Sequence, residues 1–441
     1  MSYLSSLFSL FGGLGMFLYG MTVMSDGMQK AASSKMSKFL NIVTENRVMA
    51  VILGAGITAL VQSSSATTVM VVGFVNAGIL NLSQSVGIIM GANIGTTITA
   101  WMVSLTQVSG SALSIFKPEF FAPLLVGFGS FRLLFGKKGN DDLLADFCVG
   151  VGLIFIGLEF MSSAVSPYAN SPIFSRAFQI MGGNPILGIL TGAVVTGLIQ
   201  SSAASVSILQ TLALSGAVPR VAGFYITLGQ NIGTCVTAMI SSAGASRTAK
   251  RAAMIHLLFN VTGAVLFGIL IFLMSLPFAS FFQGRLSPVE ISMFHTIFNI
   301  SCTIVLYPFA DLLVALSGKL VLETKKDKEE AENPNHYSEV EKNLIQHLDL
   351  RILESPAIAI AAAKSEVVNM ARITEENIHH ATDILLEEKT EEIPEIFKQE
   401  KVIDNMQKLL TEYLIHIGNL SLNEMQKLEV NNMFNTITDI E

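Results

Sequence analysis

Gln62-Ser63-Ser64-Ser65-Ala66-Thr67-Thr68 forms a polar knot inside an otherwise apolar run from Val48 to Leu80. The knot returns as Gln200-Ser201-Ser202-Ala203-Ala204-Ser205, 138 residues later and again within an apolar run. Gly91-Ala92-Asn93-Ile94-Gly95-Thr96 returns at the same offset as Gly229-Gln230-Asn231-Ile232-Gly233-Thr234. Aligned without a gap, residues 54–100 and 192–238 agree at 17 of 47 positions. The chain carries one structural unit twice.

The composition sets the class around this duplication. Of 441 residues, 51% are hydrophobic and only 14% charged, and the mean hydropathy of +0.56 belongs to a membrane protein. The long apolar segments lie in residues 1–320, and most Lys, Glu and Asp lie in 321–441, so the net charge of -7 says little about substrate. Cys148, Cys235 and Cys302 all sit in apolar runs and read as small core residues, with no disulfide framework expected. The N-terminus lacks a basic region and a small-residue cleavage site, and is expected to be a first span.

Residues 3–25 carry no charge and suffice to cross a bilayer. Residues 26–47, with Lys30, Lys35, Lys38 and Arg47, suit a helix along the interface. The run 48–80 is too long for one span and awkward for two. Its arms on either side of the knot rise about 21–23 Å at 1.5 Å per residue, short of a hydrocarbon core of about 30 Å. A re-entrant hairpin with its polar tip near mid-depth follows, tolerated where protein or water covers the tip. Spans are expected at 84–105, 119–136 and 144–165, a second hairpin at 184–217, and further spans at 221–243, 252–276 and 290–317. Gly150, Gly152, Gly157, Met161 and Ser162 echo Gly13, Gly15, Gly20, Met24 and Ser25 at an offset of 137. A smaller echo pairs His256-Leu257-Leu258-Phe259-Asn260 with His295-Thr296-Ile297-Phe298-Asn299.

Charge bias supports this topology. With the N-terminus outside, the inside loops collect Lys30, Lys35, Lys38, Arg47, Arg132, Lys137, Lys138, Arg247, Lys250, Arg251, Lys319, Lys325, Lys326 and Lys328. The outside keeps Lys117, Arg176, Arg220 and Arg285, so fourteen cations stand against four. The two halves then run antiparallel, and one hairpin enters from each side. Inverted repeats with broken helices meeting at mid-membrane mark a secondary transporter.

The chemistry at the tips follows from helix ends. Each second arm starts at the serines, so free backbone N–H groups and the positive dipole end point at the membrane centre, and serine is a favoured N-cap. Two such ends facing each other suit an anion. The Asn-Ile-Gly-Thr segments offer amide and hydroxyl oxygens, plus carbonyls if Gly95 and Gly233 break their helices; these suit a small hard cation. No Lys or Arg lies within either repeated core (Arg220 sits at a hairpin boundary), so a multivalent anion would need co-bound cations.

The paired Gln-Ser-Ser motifs, each followed about 29 residues on by Asn-Ile-Gly-Thr, resemble those of the type II sodium–phosphate cotransporter family over roughly residues 1–317. The resemblance implies sodium-driven uptake of inorganic phosphate, with Gln62, Ser63, Ser64, Ser65, Gln200, Ser201 and Ser202 at the phosphate. For sodium, the residues expected are Gln62, Ser65, Thr67, Thr68, Asn93, Thr96, Gln200, Ser205, Asn231 and Thr234. Ala203 and Val206 stand where the first knot has Ser65 and Thr68, so the halves cannot contribute equal ligands. The tail, from Leu353-Glu354-Ser355-Pro356 through helical segments at about 357–389, 394–417 and 421–441, is similar to a PhoU-like domain. In that resemblance Glu400 and Asp404 match a metal-binding carboxylate pair. The family usually continues past Asp439-Ile440-Glu441, so the domain is expected to be incomplete and the metal cluster with it.

Plain packing explains any single Ser or Gly in a membrane helix, but not a Gln, two Ser and a distant Asn-Ile-Gly-Thr recurring in register. Glu159 lies mid-span, where an acid is costly, and divides evenly between a buried hydrogen bond and cation coupling. His256 and His295 are expected to bond across helices. Glu400 and Asp404, resemblance aside, read as a solvated helix face.

The fold expected is all-α: a polytopic membrane protein with two inverted-topology repeats, each holding a re-entrant hairpin, and a soluble helical tail. Repeat 1 covers 1–138, with its hairpin at about 48–80. Repeat 2, with its hairpin at about 184–217 and the final span, covers 139–320. A linker fills 321–352 and the PhoU-like domain 353–441. The function expected is sodium-coupled phosphate import by alternating access at the plasma (inner) membrane, with the tail cytoplasmic. Sodium is the coupling ion and no organic cofactor is expected. Other partners are the lipid bilayer, a second copy as homodimer and a regulatory partner for the tail; nucleic acid is not one. The alternatives are another oxyanion, such as arsenate or sulfate, and a membrane phosphate sensor. No nucleophile–base arrangement suggests an enzyme.

Overall fold

The computed structural model describes residues 2–40, 46–104, 118–135, 143–168, 172–322, 344, 347–387 and 390–441. Among them there is no strand, only an isolated antiparallel bridge between Pro219 and Arg285. Seventeen α-helices are described: α1 (Ser2–Leu40), α2 (Arg47–Val61), α3 (Ser64–Asn76), α4 (Leu82–Ser104), α5 (Pro118–Phe135), α6 (Leu143–Val165), α7 (Pro172–Gly183), α8 (Pro185–Ile199) and α9 (Ser202–Leu214) come first. After them run α10 (Arg220–Ser241), α11 (Arg247–Ser275), α12 (Ala279–Phe282), α13 (Pro288–Leu306), α14 (Ala310–Leu320), α15 (Pro356–Glu387), α16 (Ile393–Gly418) and α17 (Glu424–Ile440).

Local chemistry marks the ends of these helices. Asn46, Ser63, Asn184 and Ser201 each accept a backbone N–H at the start of α2, α3, α8 and α9. Gln62 and Gln200 end α2 and α8 in the left-handed region, both at φ 55°, and are the only non-glycine residues with positive φ among those described. Gly78 and Gly216, at φ 70° and 72°, turn the chain after α3 and α9, where a side chain would be strained. Each of these devices appears twice at an interval of 138 residues.

Close glycine packing fixes the direction of the chain. A Cβ on Gly87 would lie 3.0 Å from the Arg47 carbonyl oxygen, one on Gly91 2.0 Å from that of Val51 and one on Gly95 2.5 Å from that of Ala55. Numbers rise together along α2 and α4, so these helices are parallel, and α3 must carry the chain back to the end where α2 began. Gly229 against Ile189 (1.9 Å) and Gly233 against Ala193 (2.5 Å) impose the same on α8, α9 and α10. Each 15-residue first arm and 13-residue second arm is thus a helical hairpin, with the Gln-Ser-Ser knot at its tip.

Contacts with the later helices orient the two units. Trp101 of α4 donates to Thr296 of α13 at 2.9 Å, and Arg47 and Ser83, at the other end of α4, meet through a 2.6 Å bond beside Asp311 of α14. α4 therefore runs against α13 and α14. So does α11: Arg251 reaches the Val314 carbonyl at 3.0 Å, while Phe267 stacks edge-on to Phe298. α10 in turn runs against α11, with Cys235 3.4 Å from Asn260 and Leu228 beside Gly268. α4 and α10 consequently run in opposite senses.

Among the described residues, five helical stretches are long and apolar enough to cross a bilayer: Leu4–Ser25, Leu82–Ser104, Leu143–Val165, Arg247–Ser275 and Pro288–Leu320. α10, expected as a span, falls outside this group because Thr227, Gln230, Asn231 and Thr234 interrupt its apolar face. The separate interface helix expected at 26–47 is not formed as such. Residues 26–40 prolong α1, which reaches α15 of the tail. In the second half an equivalent break does occur, where α7 meets α8 at 114°. Lys117, Lys137, Lys138 and most of the 321–342 linker lie outside the described residues. The tail is three packed helices, α15 to α17, close to the expected bounds.

Candidate functional site

The two tips meet. Ser64 Oγ and Ser202 Oγ, 138 residues apart, lie 3.5 Å from one another. Ser63 and Ser201 serve as N-caps, accepting from Ala66 N at 3.1 Å and Ala204 N at 3.2 Å. Two helix N-termini thus point at one place, and the hydroxyls left facing it are those of Ser64 and Ser202.

A narrow crevice lies between the tips. Of the expected residues, Ser64, Asn93, Thr96, Ser202, Asn231 and Thr234 line it. Asn93 and Asn231 tie their amide nitrogens to the Ile89 and Thr227 carbonyls, at 2.9 and 3.0 Å, which leaves their amide oxygens for the crevice. Thr96 and Thr234 bond back to the carbonyls of Ala92 and Gln230. α4 and α10 continue unbroken through Gly95 and Gly233, so the carbonyls foreseen from a helix break are not freed. These glycines instead admit a neighbouring backbone, with the carbonyl oxygens of Ala55 and Ala193 each 2.5 Å from where a Cβ would stand.

The remaining expected residues stand one layer back. Thr58 donates to Thr67 at 3.0 Å, and the counterpart pair Thr196 and Ser205 is joined at 2.7 Å. Thr68 is buried and bonded to the Ser64 carbonyl at 2.9 Å. Ser65 is half-buried outside the crevice lining. Gln62 is buried and turned to Thr99, whose hydroxyl donates to its Oε1 at 2.9 Å. Gln200 is exposed. Neither glutamine lines the crevice.

Three lining residues were not foreseen: Val206, Gln230 and His295. Gln230 replaces Ala92 of the first unit and donates to Ser205 Oγ and its carbonyl at 3.0 and 2.9 Å, so the second unit lines the crevice with four polar side chains where the first supplies three. That substitution is visible when the Gly-Ala-Asn and Gly-Gln-Asn segments are compared. His295 makes no cross-helix bond through Nδ1, which is buried without a partner, and both ring nitrogens of His256 are likewise unpartnered. The expected cross-helix bonds of the histidines are therefore absent. The echo of the two His-x-x-x-Asn segments was the available signal for His295. No charged side chain lines the crevice.

Glu159 is exposed on α6, where it lines a recess with Ser5, Ser9 and Ser163 rather than sitting inside the bundle. Glu400 is exposed and Asp404 half-buried, one turn apart on α16. No group of three His, Cys, Asp or Glu able to hold a metal is found among the described residues.

The Na+/Pi-cotransporter family profile matches residues 16–163 and 167–282, and that of the PhoU domain matches 367–441. YjbB of Salmonella typhimurium, provisionally named an inorganic phosphate export protein, is 25% identical over 426 residues, covering 95% of this chain and 72% of its own. YqeW of Bacillus subtilis is 29% identical over 308 residues, covering 69% of this chain and 95% of its own. The sodium-dependent phosphate transport protein 2A of Rattus norvegicus is 36% identical over 100 residues, 22% of this chain and 16% of its own. No solved structure matches the chain. By the extent of the profile match, the chain belongs to the Na+/Pi-cotransporter family, and a PhoU domain follows its membrane region.

Proposed function

We propose that the chain moves inorganic phosphate across the membrane, coupled to sodium, by alternating access around the paired tips. The observation that carries this is the 3.5 Å approach of Ser64 and Ser202 at two converging helix N-termini. Phosphate oxygens would accept from the free N–H groups of Ser64, Ser65, Ser202 and Ala203 and from the two hydroxyls. With no cation among the lining side chains, sodium supplies the balancing charge. Its ligands are the oxygens of Asn93, Asn231 and Thr234 and the cluster of Thr196, Ser205 and Gln230.

In this reading the two units are inverted repeats. Gly13 packs on Gly157, the counterpart of Gly20, while Gly20 packs on Gly150, the counterpart of Gly13. Such reciprocity is what a two-fold relation demands. The hairpins are re-entrant, since arms of 15 and 13 residues rise only about 20–23 Å, and the tail lies in the cytoplasm, on the side from which α2 enters.

The test is radiolabelled phosphate uptake into proteoliposomes under an inward sodium gradient, with a matched potassium control, for wild type and Ser64→Ala. Sodium-dependent accumulation lost in the variant is expected. Equal counts in sodium and potassium would overturn coupling. The name of YjbB favours a second reading, outward movement. Preloaded vesicles that lose phosphate without regard to the sodium gradient would select it.

A further inference from the structure

Away from the tips, three helices bring a cluster of oxygens together inside the protein. Gln210 of α9, Ser104 of α4 and Ser292 of α13 are buried. Gln210 Nε2 lies 3.0 Å from the Ala100 carbonyl, 3.3 Å from Ser104 Oγ, 3.3 Å from the Pro288 carbonyl and 3.0 Å from Ser292 Oγ. The two hydroxyls bond one another and are each within 3.1 Å of both carbonyls. Gln210 Oε1, by contrast, is sealed off with no partner.

This arrangement is lopsided for a purely neutral network. An amide nitrogen carries two hydrogens and cannot serve four acceptors well, while its own oxygen goes without a donor. Half a turn of the amide about its last bond exchanges the two atoms. Oε1 then joins the two carbonyl and two hydroxyl oxygens, and five oxygens crowd together with only two hydroxyl hydrogens and the helix N–H groups of Ser104 and Ser292 to serve them. A positive ion there satisfies all five.

We propose that Gln210, Ser104, Ser292 and the carbonyls of Ala100 and Pro288 form a sodium site separate from the central crevice. The ligands are all neutral, which suits a monovalent ion, because divalent calcium and magnesium in proteins draw on carboxylates. The oxygens touch at hydrogen-bond distances, 2.8–3.1 Å from Ser292 to Ala100 and to Pro288, so an ion must part them, and a small ion parts them less than one of potassium size. The site belongs to the second unit alone, since the counterpart of Gln210 in the first is Val72. It also has a mechanical consequence. Gln210 lies eight residues beyond Ser202 on one helix, about 12 Å along its axis, so an ion bound there fixes the second arm of that hairpin against α4 and α13. Binding stands independently of the transport reading; only its coupling to phosphate movement rests on that reading.

The protein holds its own probe. Trp101, the single tryptophan, is next to Ala100 and bonded to Thr296 of α13 at 2.9 Å. Purified full-length protein is titrated with sodium in phosphate-free buffer, with potassium at equal ionic strength as control. Trp101 emission and the thermal unfolding midpoint are followed together. In wild type, sodium alters the emission and raises the midpoint where potassium does neither. Gln210→Leu loses the Trp101 response and keeps only the midpoint rise that the crevice site gives, and Ser292→Ala shifts the Trp101 response to higher sodium. Gln210→Glu, which keeps the shape and adds a charge, moves it to lower sodium. Ser64→Ala retains the Trp101 response even where it transports no phosphate, so failure at the tips and failure at this site are distinguishable. Unchanged titrations in both Gln210→Leu and Ser292→Ala would overturn the proposal, as would equal responses to potassium or no response in wild type.

Discussion

Thr99 donates to Gln62 Oε1 at 2.9 Å, closing the first tip onto α4, and the equivalent bond between Thr237 and Gln200 is not made. Gln200 is exposed and the Thr237 hydroxyl is buried without a partner. One sequence unit, used twice, leaves one tip fastened and the other loose. Removing each threonine hydroxyl separates the two cases. Thr99→Val strands the buried Gln62 amide oxygen and is expected to cost about 1–3 kcal/mol, whereas Thr237→Val removes an unsatisfied group and is neutral or stabilising. Thermal midpoints of the two purified variants, compared with wild type, check this. A Thr237→Val midpoint falling as far as that of Thr99→Val would show that the second bond does form.

The glycine seams predict which small substitutions are fatal. Gly91→Ala and Gly229→Ala would bring a methyl group within 2.0 and 1.9 Å of a carbonyl oxygen on the paired helix. The helices must separate, and overpacking of this kind costs roughly 1–3 kcal/mol or more. Gly56, on the same α2, has nothing within 4 Å of a Cβ, so Gly56→Ala is tolerated and gains up to about 1 kcal/mol from helix propensity. Recovery of monodisperse protein by size-exclusion chromatography reads the difference. Equal yields of Gly91→Ala and Gly56→Ala would mean that the α2–α4 seam is not under steric control.

Much of this was legible because it is local. The knots, their caps and the turn glycines are short-range devices, and their repetition announced the duplicated hairpins and the Asn-Ile-Gly-Thr segments that line the crevice. What could not be read depends on a partner from elsewhere in the chain. Gly95 could have broken a helix or admitted a neighbour, and only the presence of Ala55 decides for the latter. Gln62 and Gln200 are identical in sequence, yet one finds Thr99 and the other is exposed. Gln210 reads as one polar residue in an apolar helix until Ser104 and Ser292, more than 80 residues away on either side, are placed beside it. Glu159 lies inside an apolar run, but its face of α6 turns outward.

The tail carries a pH-sensitive contact. His347 Nδ1 lies 2.6 Å from Glu366 Oε1, and Glu366 is buried. The hydrogen bond with this carboxylate raises the His347 pKa above its usual value of 6.5, against the opposing effect of burial. A group whose folded pKa is raised stabilises fully below its unfolded pKa and loses that contribution as pH rises through the folded pKa. The tail is therefore expected to hold more tightly at pH 6 than at pH 8. His347→Gln should flatten that dependence, as read from the pH profile of hydrogen exchange in α15. A wild-type profile with the opposite slope would exclude charged His347 as the cause.

A second tail contact reaches the first hairpin. Asn76, at the end of α3, donates to Asp349 at 2.6 Å and accepts from Ser246 N at 2.8 Å. Arg351 grips Asp349 at 2.6 and 2.7 Å and donates to the Ser241 carbonyl at 3.2 Å. The segment leading into the tail thus fastens the far end of the first hairpin to the junction of α10 and α11. Because Asp349 and Arg351 are largely shielded from solvent, removing one leaves the other without its partner, at a cost of about 3–5 kcal/mol if the site stays closed. Asp349→Ala is expected to release the segment instead. Exchange should rise together at Asn76–Gly78 and at residues 349–355, while the interiors of α15 and α16 stay protected. Exchange that rises throughout the tail would mean that Asp349 holds the domain together rather than holding it to the hairpin.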